Sequence, residues 1–220
     1  MIGKIENRKH SVIFGNSSAI ASWIYEKLFQ LKNNTYLVGR KLTNEEDLLA
    51  DFTNYDQVLN TFKTIYTQSK QLHSIYYCAG SYDEVLINES NPNKWKEIID
   101  INLNGAFNVF RAFSEIYSSD IATKFIFLGS TATISKPKKY SSYSVSKIAL
   151  EQLVNYINNE TPNNVRSCYL RLGRCKTTFS GFEKNDSFIN IADLKNIINF
   201  LENSRIETFP DLISVRPILK

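Results

Sequence analysis

At 220 residues, with 43% apolar, 22% charged and 13% aromatic residues, the chain has the size and balance of one globular domain over 1–220. No run reaches the apolar length of a membrane span, and the polar opening 1–10 lacks a secretory-signal pattern. A net charge of +4 from scattered Lys and Arg argues against a nucleic-acid partner, and Cys78, Cys168 and Cys175, forming no CxxC pair, fit a reduced, cytoplasmic compartment.

The first predicted strand is Val12-Ile13-Phe14, ended by Gly15, and Asn16-Ser17-Ser18 leads from it into a helix patterned by Ala19, Ile20, Trp23, Ile24 and Leu28. A second strand, Tyr36-Leu37-Val38, ends at Gly39, and a second helix follows through Val58, Leu59, Phe62, Ile65 and Tyr66. The third strand, 75–79, ends at Gly80, and one long helical pattern then runs over 95–113. A fourth strand, 125–128, ends at Gly129, with a polar segment 130–142 and a helix over 142–158 behind it. The fifth strand, 169–172, ends at Gly173 and leads into a polar segment 176–187, and the tail 206–217 reads as one or two short closing strands.

These strands are nearly continuously apolar, as expected when both faces are covered, and they alternate with helices along the chain. The expectation is an α/β fold, a single doubly wound domain with a mostly parallel sheet flanked by helices. Five of the eight glycines then fall at strand carboxyl ends, the edge where such sheets bind ligands and where a Cβ would intrude on close approach.

Several chemistries are excluded. There is no Walker A loop, no G-x-S-x-G elbow and no G-x-G-x-x-G fingerprint. His10 and His73 stand at strand entrances, the opposite edge from the glycines, which removes a histidine nucleophile relay and a histidine metal site; no metal is expected. Cys168 and Cys175 flank the fifth strand as core thiols.

One pair carries chemistry. Tyr143 and Lys147 are four apart near the start of a helix and share a face, so the ammonium is expected to lower the phenol pKa toward neutrality. Tyr66 and Lys70 repeat the spacing without a polar helper, whereas Ser130, directly after Gly129, brings a hydroxyl to the edge expected to carry Tyr143.

Ser130, Tyr143 and Lys147 resemble the Ser…Tyr-x-x-x-Lys triad of the classical short-chain dehydrogenases/reductases, and Asn102 in Ile101-Asn102-Leu103-Asn104-Gly105 is similar to the asparagine completing that family's tetrad. Gly15-Asn16-Ser17-Ser18-Ala19-Ile20-Ala21 resembles its T-G-x-x-x-G-x-G turn, Cys78-Ala79-Gly80 its N-A-G, Asp51-Phe52 its adenine-contacting Asp-Val, and Gly173…Thr177 its P-G-x-x-x-T. Phe14, Ala19, Ala21, Cys78 and Leu172 depart from that pattern, and the two alanines narrow the pyrophosphate turn. The resemblance implies a Rossmann-type domain, a nicotinamide dinucleotide held by Gly15, Asn16, Ser17, Ser18, Ile20, Arg40, Asp51, Phe52, Ala79, Gly80, Tyr143, Lys147, Gly173 and Thr177, and catalysis by Asn102, Ser130, Tyr143 and Lys147.

After the second strand the chain reads Gly39-Arg40-Lys41, with no carboxylate until Glu45, which favours NADP(H) over NAD(H) as cofactor. The expected reaction is reduction of a carbonyl on a small or sugar-like substrate: Tyr143 donates the proton, Ser130 steadies the oxygen, Lys147 tunes the tyrosine and Asn102 maintains a relaying water. A non-catalytic dinucleotide sensor or scaffold, or an epimerase or dehydratase of nucleotide sugars, are the alternatives. Lys136, Lys138, Lys139, Arg174 and Lys176 offer cations for an anionic substrate, with a solvated basic loop as the favoured account. The short segment after Thr177 suggests an open pocket, and the helices over 95–116 and 142–158 resemble the family's faces for a homodimer or homotetramer.

Overall fold

The computed structural model describes residues 8–117, 120–177 and 188–217. In chain order these form β1 (His10–Phe14), α1 (Ala19–Gln30), β2 (Asn34–Gly39), β3 (Leu48–Leu49), α2 (Tyr55–Gln68), β4 (Ser74–Tyr77), α3 (Pro92–Ile99), α4 (Gly105–Ile116), β5 (Thr123–Ser130), α5 (Ala132–Ser135), α6 (Ser141–Glu160), β6 (Val165–Leu172), α7 (Ile191–Asn203) and β7 (Leu212–Val215). The seven strands lie in the order β3-β2-β1-β4-β5-β6-β7. Every pairing is parallel, so the sheet is more uniform than the mostly parallel one expected.

Strand alternation sorts the core onto two faces. Val12 and Phe14 of β1, Tyr77 of β4 and Phe125 and Phe127 of β5 pack with Val58, Phe62, Val109, Phe113, Leu150 and Val154 from α2, α4 and α6. Ile13, Tyr76, Ile126 and Leu128 point the other way, against Ile24 and Leu28 of α1 and Leu194, Ile198 and Leu201 of α7. With both faces buried, the central strand side chains are mostly apolar, which is the pattern the sequence carries. The strand order reverses direction between β1 and β4, making this a Rossmann-type sheet whose ligand crevice is expected outside the carboxyl ends at that point.

Two elements differ from the sequence reading, and the tail falls within it. β3 is two residues long, too short to leave a period. The tail gives one closing strand, β7, beside β6. The long helical pattern over 95–113 is two α-helices joined by a π turn at Asp100–Asn104, and Asn102 lies inside that turn. The polar segment 130–142 holds the short helix α5, and the segment 178–187, with the open-pocket expectation attached to it, lies outside the described residues. None of the helices is long and apolar enough to cross a membrane among the described residues.

Candidate active site

A cleft of about 950 Å³ opens along the carboxyl edge of the sheet, at the upper end of the range typical of small-molecule sites. All fourteen residues expected to hold a dinucleotide line it, as do Ser130, Tyr143 and Lys147. Asn102 stands just behind the wall, fully buried. His10 and His73 are at the far edge, where the His10 amide donates to His73 Nδ1.

One end of the cleft is made by the β1–α1 turn. Gly15 has φ +99°, and a Cβ there would lie 2.6 Å from the Ala79 nitrogen, so only glycine lets the ends of β1 and β4 sit this close. Ser18 occupies the N-cap of α1 without a side-chain cap bond, and no acidic residue stands in the first turn. Free amides and a positive helix end therefore face the cleft, the chemistry a pyrophosphate requires. Ala19 lines the cleft, whereas Ala21 is buried in the core beneath α1, so only the first of the two alanines narrows the turn. Asn16 lines the cleft, and its side chain bonds the Lys41 carbonyl and Asp47.

The other end collects the reactive groups. Ser130 closes β5, its Oγ accepts the Ala132 amide at 3.1 Å, and its hydroxyl stands near enough to Tyr143 to favour the phenolate. Lys147 is 3% exposed and donates from Nζ to the Leu128 carbonyl at 2.7 Å. Asn102 spends both amide hydrogens, on the Ser81 carbonyl and Ser146 Oγ, each at 2.8 Å, and its Oδ1 accepts the Ser81 amide at 2.7 Å. Ser146 passes its hydrogen to the Tyr143 carbonyl at 2.7 Å, so the π turn is latched to the first turn of α6.

Electrostatics reverse one expectation. The Lys147 ammonium was expected to depress the Tyr143 phenol; instead enclosure pushes the phenol up to about 12, with Ser130 pulling the other way. The reason is geometric: Lys147 Nζ lies 5.8 Å from the Tyr143 ring centroid and is bonded to Leu128, not to the phenol. Burial also lowers Lys147 to about 8.

Two aromatic neighbours escaped the sequence reading. Tyr82 stacks on Tyr140 with centroids 5.7 Å apart and meets Tyr143 edge-on at 6.4 Å, and both Tyr82 and Tyr140 line the cleft with Arg174. Tyr82 follows Gly80 by two residues and Tyr140 precedes Tyr143 by three; proximity to those motifs was the available signal.

A doubly wound sheet with an anion-receptive first turn and a serine, tyrosine and lysine gathered at the same edge defines an oxidoreductase of the nicotinamide-dinucleotide class. The sequence model of the short chain dehydrogenase family matches residues 9–187, and the chain belongs to that family. The 2-dehydro-3-deoxy-D-gluconate 5-dehydrogenase of Pseudoalteromonas atlantica is 25% identical over 130 residues, 59% of this chain, and the match spans only 50% of that relative. An uncharacterised oxidoreductase of Staphylococcus saprophyticus is 23% identical over 189 residues, 79% of this chain and 81% of its own. Among solved structures, an alcohol dehydrogenase from Thermococcus sibiricus complexed with 5-hydroxy-NADP matches with a TM-score of 0.85 at 18% identity, covering 97% of this chain and 98% of that one.

Proposed function

We propose that this chain is an NADP(H)-dependent reductase of a small or sugar-like carbonyl compound, working through Tyr143. The observation that carries the reading is the grouping of Ser130, Tyr143 and buried Lys147 in the same cleft that Arg40 and Lys41 line.

The β1–α1 turn, from Gly15 to Ile20, would hold the pyrophosphate, Asp51 and Phe52 the adenine, and Arg40 with Lys41 the additional phosphate. Ala79, Gly80, Gly173 and Thr177 would border the nicotinamide half, and Tyr143 and Lys147 its ribose. When bound, the dinucleotide supplies the hydride. Ser130 holds the substrate oxygen, and Tyr143, protonated at neutral pH, gives that oxygen its proton as charge develops. Lys147 contributes a nearby positive charge, and Asn102 keeps the start of α6 in register through Ser146.

The named sugar-acid dehydrogenase among the relatives, together with Arg174 at the cleft wall, supports an anionic keto sugar as substrate. Exposed Phe107 on α4 and Val145, Ile148 and Tyr156 on α6 support a homodimer or homotetramer. Three free, buried cysteines are in keeping with a cytoplasmic protein.

Fluorescence titration with NADPH and NADH, followed by a carbonyl panel that includes keto sugars, tests the reading. NADPH is expected to bind more tightly, and Tyr143→Phe to lose at least about a hundredfold in turnover with NADPH affinity intact. Binding of neither dinucleotide, or undiminished turnover by Tyr143→Phe, overturns it.

A further inference from the structure

Residues 40–46, between β2 and β3, are all exposed, and the segment has no apolar anchor of its own; Leu42 is 52% exposed. What gives it a shape is the single buried carboxylate at its end. Asp47, 8% exposed, accepts four hydrogen bonds on one oxygen, Oδ2: from the Thr43 amide at 2.7 Å, the Thr43 hydroxyl at 2.5 Å, the Asn44 amide at 3.2 Å and Asn16 Nδ2 at 2.7 Å. Those bonds favour the ionised form and hold the Asp47 carboxyl below its ordinary range, so it is a full acceptor at neutral pH.

Asn16 completes the clamp. Its Nδ2 also donates to the Lys41 carbonyl at 2.7 Å, tying the main chain beside Arg40 to the β1–α1 turn. The amide lies across Gly39, where a Cβ would fall 1.7 Å from Asn16 Oδ1. Gly39 is therefore glycine to admit Asn16, and Asn16 is there to reach Asp47 and Lys41. Asp47 does not line the cleft, whereas Arg40 and Lys41 do.

We propose that Asp47 is a positioning residue for cofactor choice: through Asn16 and the main chain of Lys41, Thr43 and Asn44 it fixes the 40–47 loop so that Arg40 and Lys41 stand where the phosphate distinguishing NADPH from NADH is received. This rests on the NADP(H) reading above. A negative charge near a phosphate subsite would by itself weaken NADPH binding. The structure resolves that conflict by committing the Asp47 oxygen to loop donors, so geometry and charge make opposite predictions for its removal.

The test is fluorescence titration of wild type, Asp47→Ala and Asp47→Asn with NADPH and NADH, with thermal unfolding as the fold check. Asp47→Ala is expected to lose about tenfold in NADPH affinity while NADH affinity stays within about twofold. Asp47→Asn retains an oxygen acceptor without the charge and is expected to keep the NADPH preference. An Asp47→Ala protein that keeps the wild-type ratio, loses both affinities equally, or gains NADPH affinity overturns the inference while leaving the cofactor reading in place. Wild type that binds both dinucleotides alike overturns that reading and this inference with it.

Discussion

The ring of Tyr169 fills the space that a side chain on Gly129 would need; a Cβ on Gly129 would lie 2.2 Å from it. The Tyr169 hydroxyl donates to the Lys147 carbonyl at 3.0 Å and accepts the Ser130 amide at 3.3 Å. That amide needs a partner, because β4 pairs with β5 only as far as Phe127 and offers nothing opposite Ser130. One β6 side chain thus joins the strand bearing Ser130 to the helix bearing Tyr143 and Lys147.

Removing that join has two expected signatures. Tyr169→Phe keeps the packing and strands the Ser130 amide, costing about 1–3 kcal/mol; if Ser130 also loses its aim, kcat falls more than KM. Gly129→Ala must displace a buried ring and costs about 1–3 kcal/mol by overpacking. Urea unfolding and steady-state kinetics on both variants check this.

Reduction and oxidation should answer pH in opposite directions. The Tyr143 phenol, pushed up to about 12, is a ready proton donor at neutral pH, and Lys147 keeps its charge up to about pH 8. Carbonyl reduction is expected to be level from neutrality to about pH 8 and to fall above it. Alcohol oxidation requires the phenolate, whose fraction grows tenfold per unit below 12, so its rate climbs over the same range. Initial rates on one ketone–alcohol pair decide the matter.

Lys147 should be a stability liability at neutral pH. Burial lowers it from an unfolded value near 10.5 to about 8, so between those values the unfolded chain binds more protons and stability contributed here rises with pH. Lys147→Met is expected to be more stable by about 1–3 kcal/mol at neutral pH, with the gain narrowing toward about pH 10, and to be inactive. Denaturant titrations across that interval measure the slope.

Far from the cleft, Glu202 at the end of α7 is 3% exposed, accepting the Tyr76 hydroxyl at 2.6 Å and the Asn33 amide at 3.1 Å. Glu202→Leu leaves a buried phenol unpaired at the opposite sheet edge. Stability is expected to drop by about 1–3 kcal/mol with NADPH affinity unchanged.

The strand-end glycines mark the edge that carries the cleft, but at four of the five positions, all except Gly80, another part of the chain and not a ligand takes the space of a Cβ. Gly39 and Gly129 are small because Asn16 and Tyr169 lie across them, not because a ligand does. That reason was illegible in sequence, since each glycine's neighbour is about twenty to forty positions away and is brought near only by the parallel sheet. The Ser130, Tyr143 and Lys147 grouping was legible because two members share one helix face and the third follows a strand-end glycine. The sign of the Tyr143 shift was not, because spacing reports that Lys147 is near and says nothing of how deeply the phenol is enclosed. The π turn was hidden too, as its apolar residues fit a continuous helix nearly as well.

That π turn has a consequence for the length of the chain. Between α3 and α4 the polypeptide carries one residue more than a regular α-helical path would use. Deleting a single residue within 100–104 would restore ordinary helical bonding and leave α3 and α4 in line, but it would remove the wide turn that sets Asn102 between Ser81 and Ser146. Such a deletion is expected to spare the core contacts of Val109 and Phe113 and to lose the Asn102 latch.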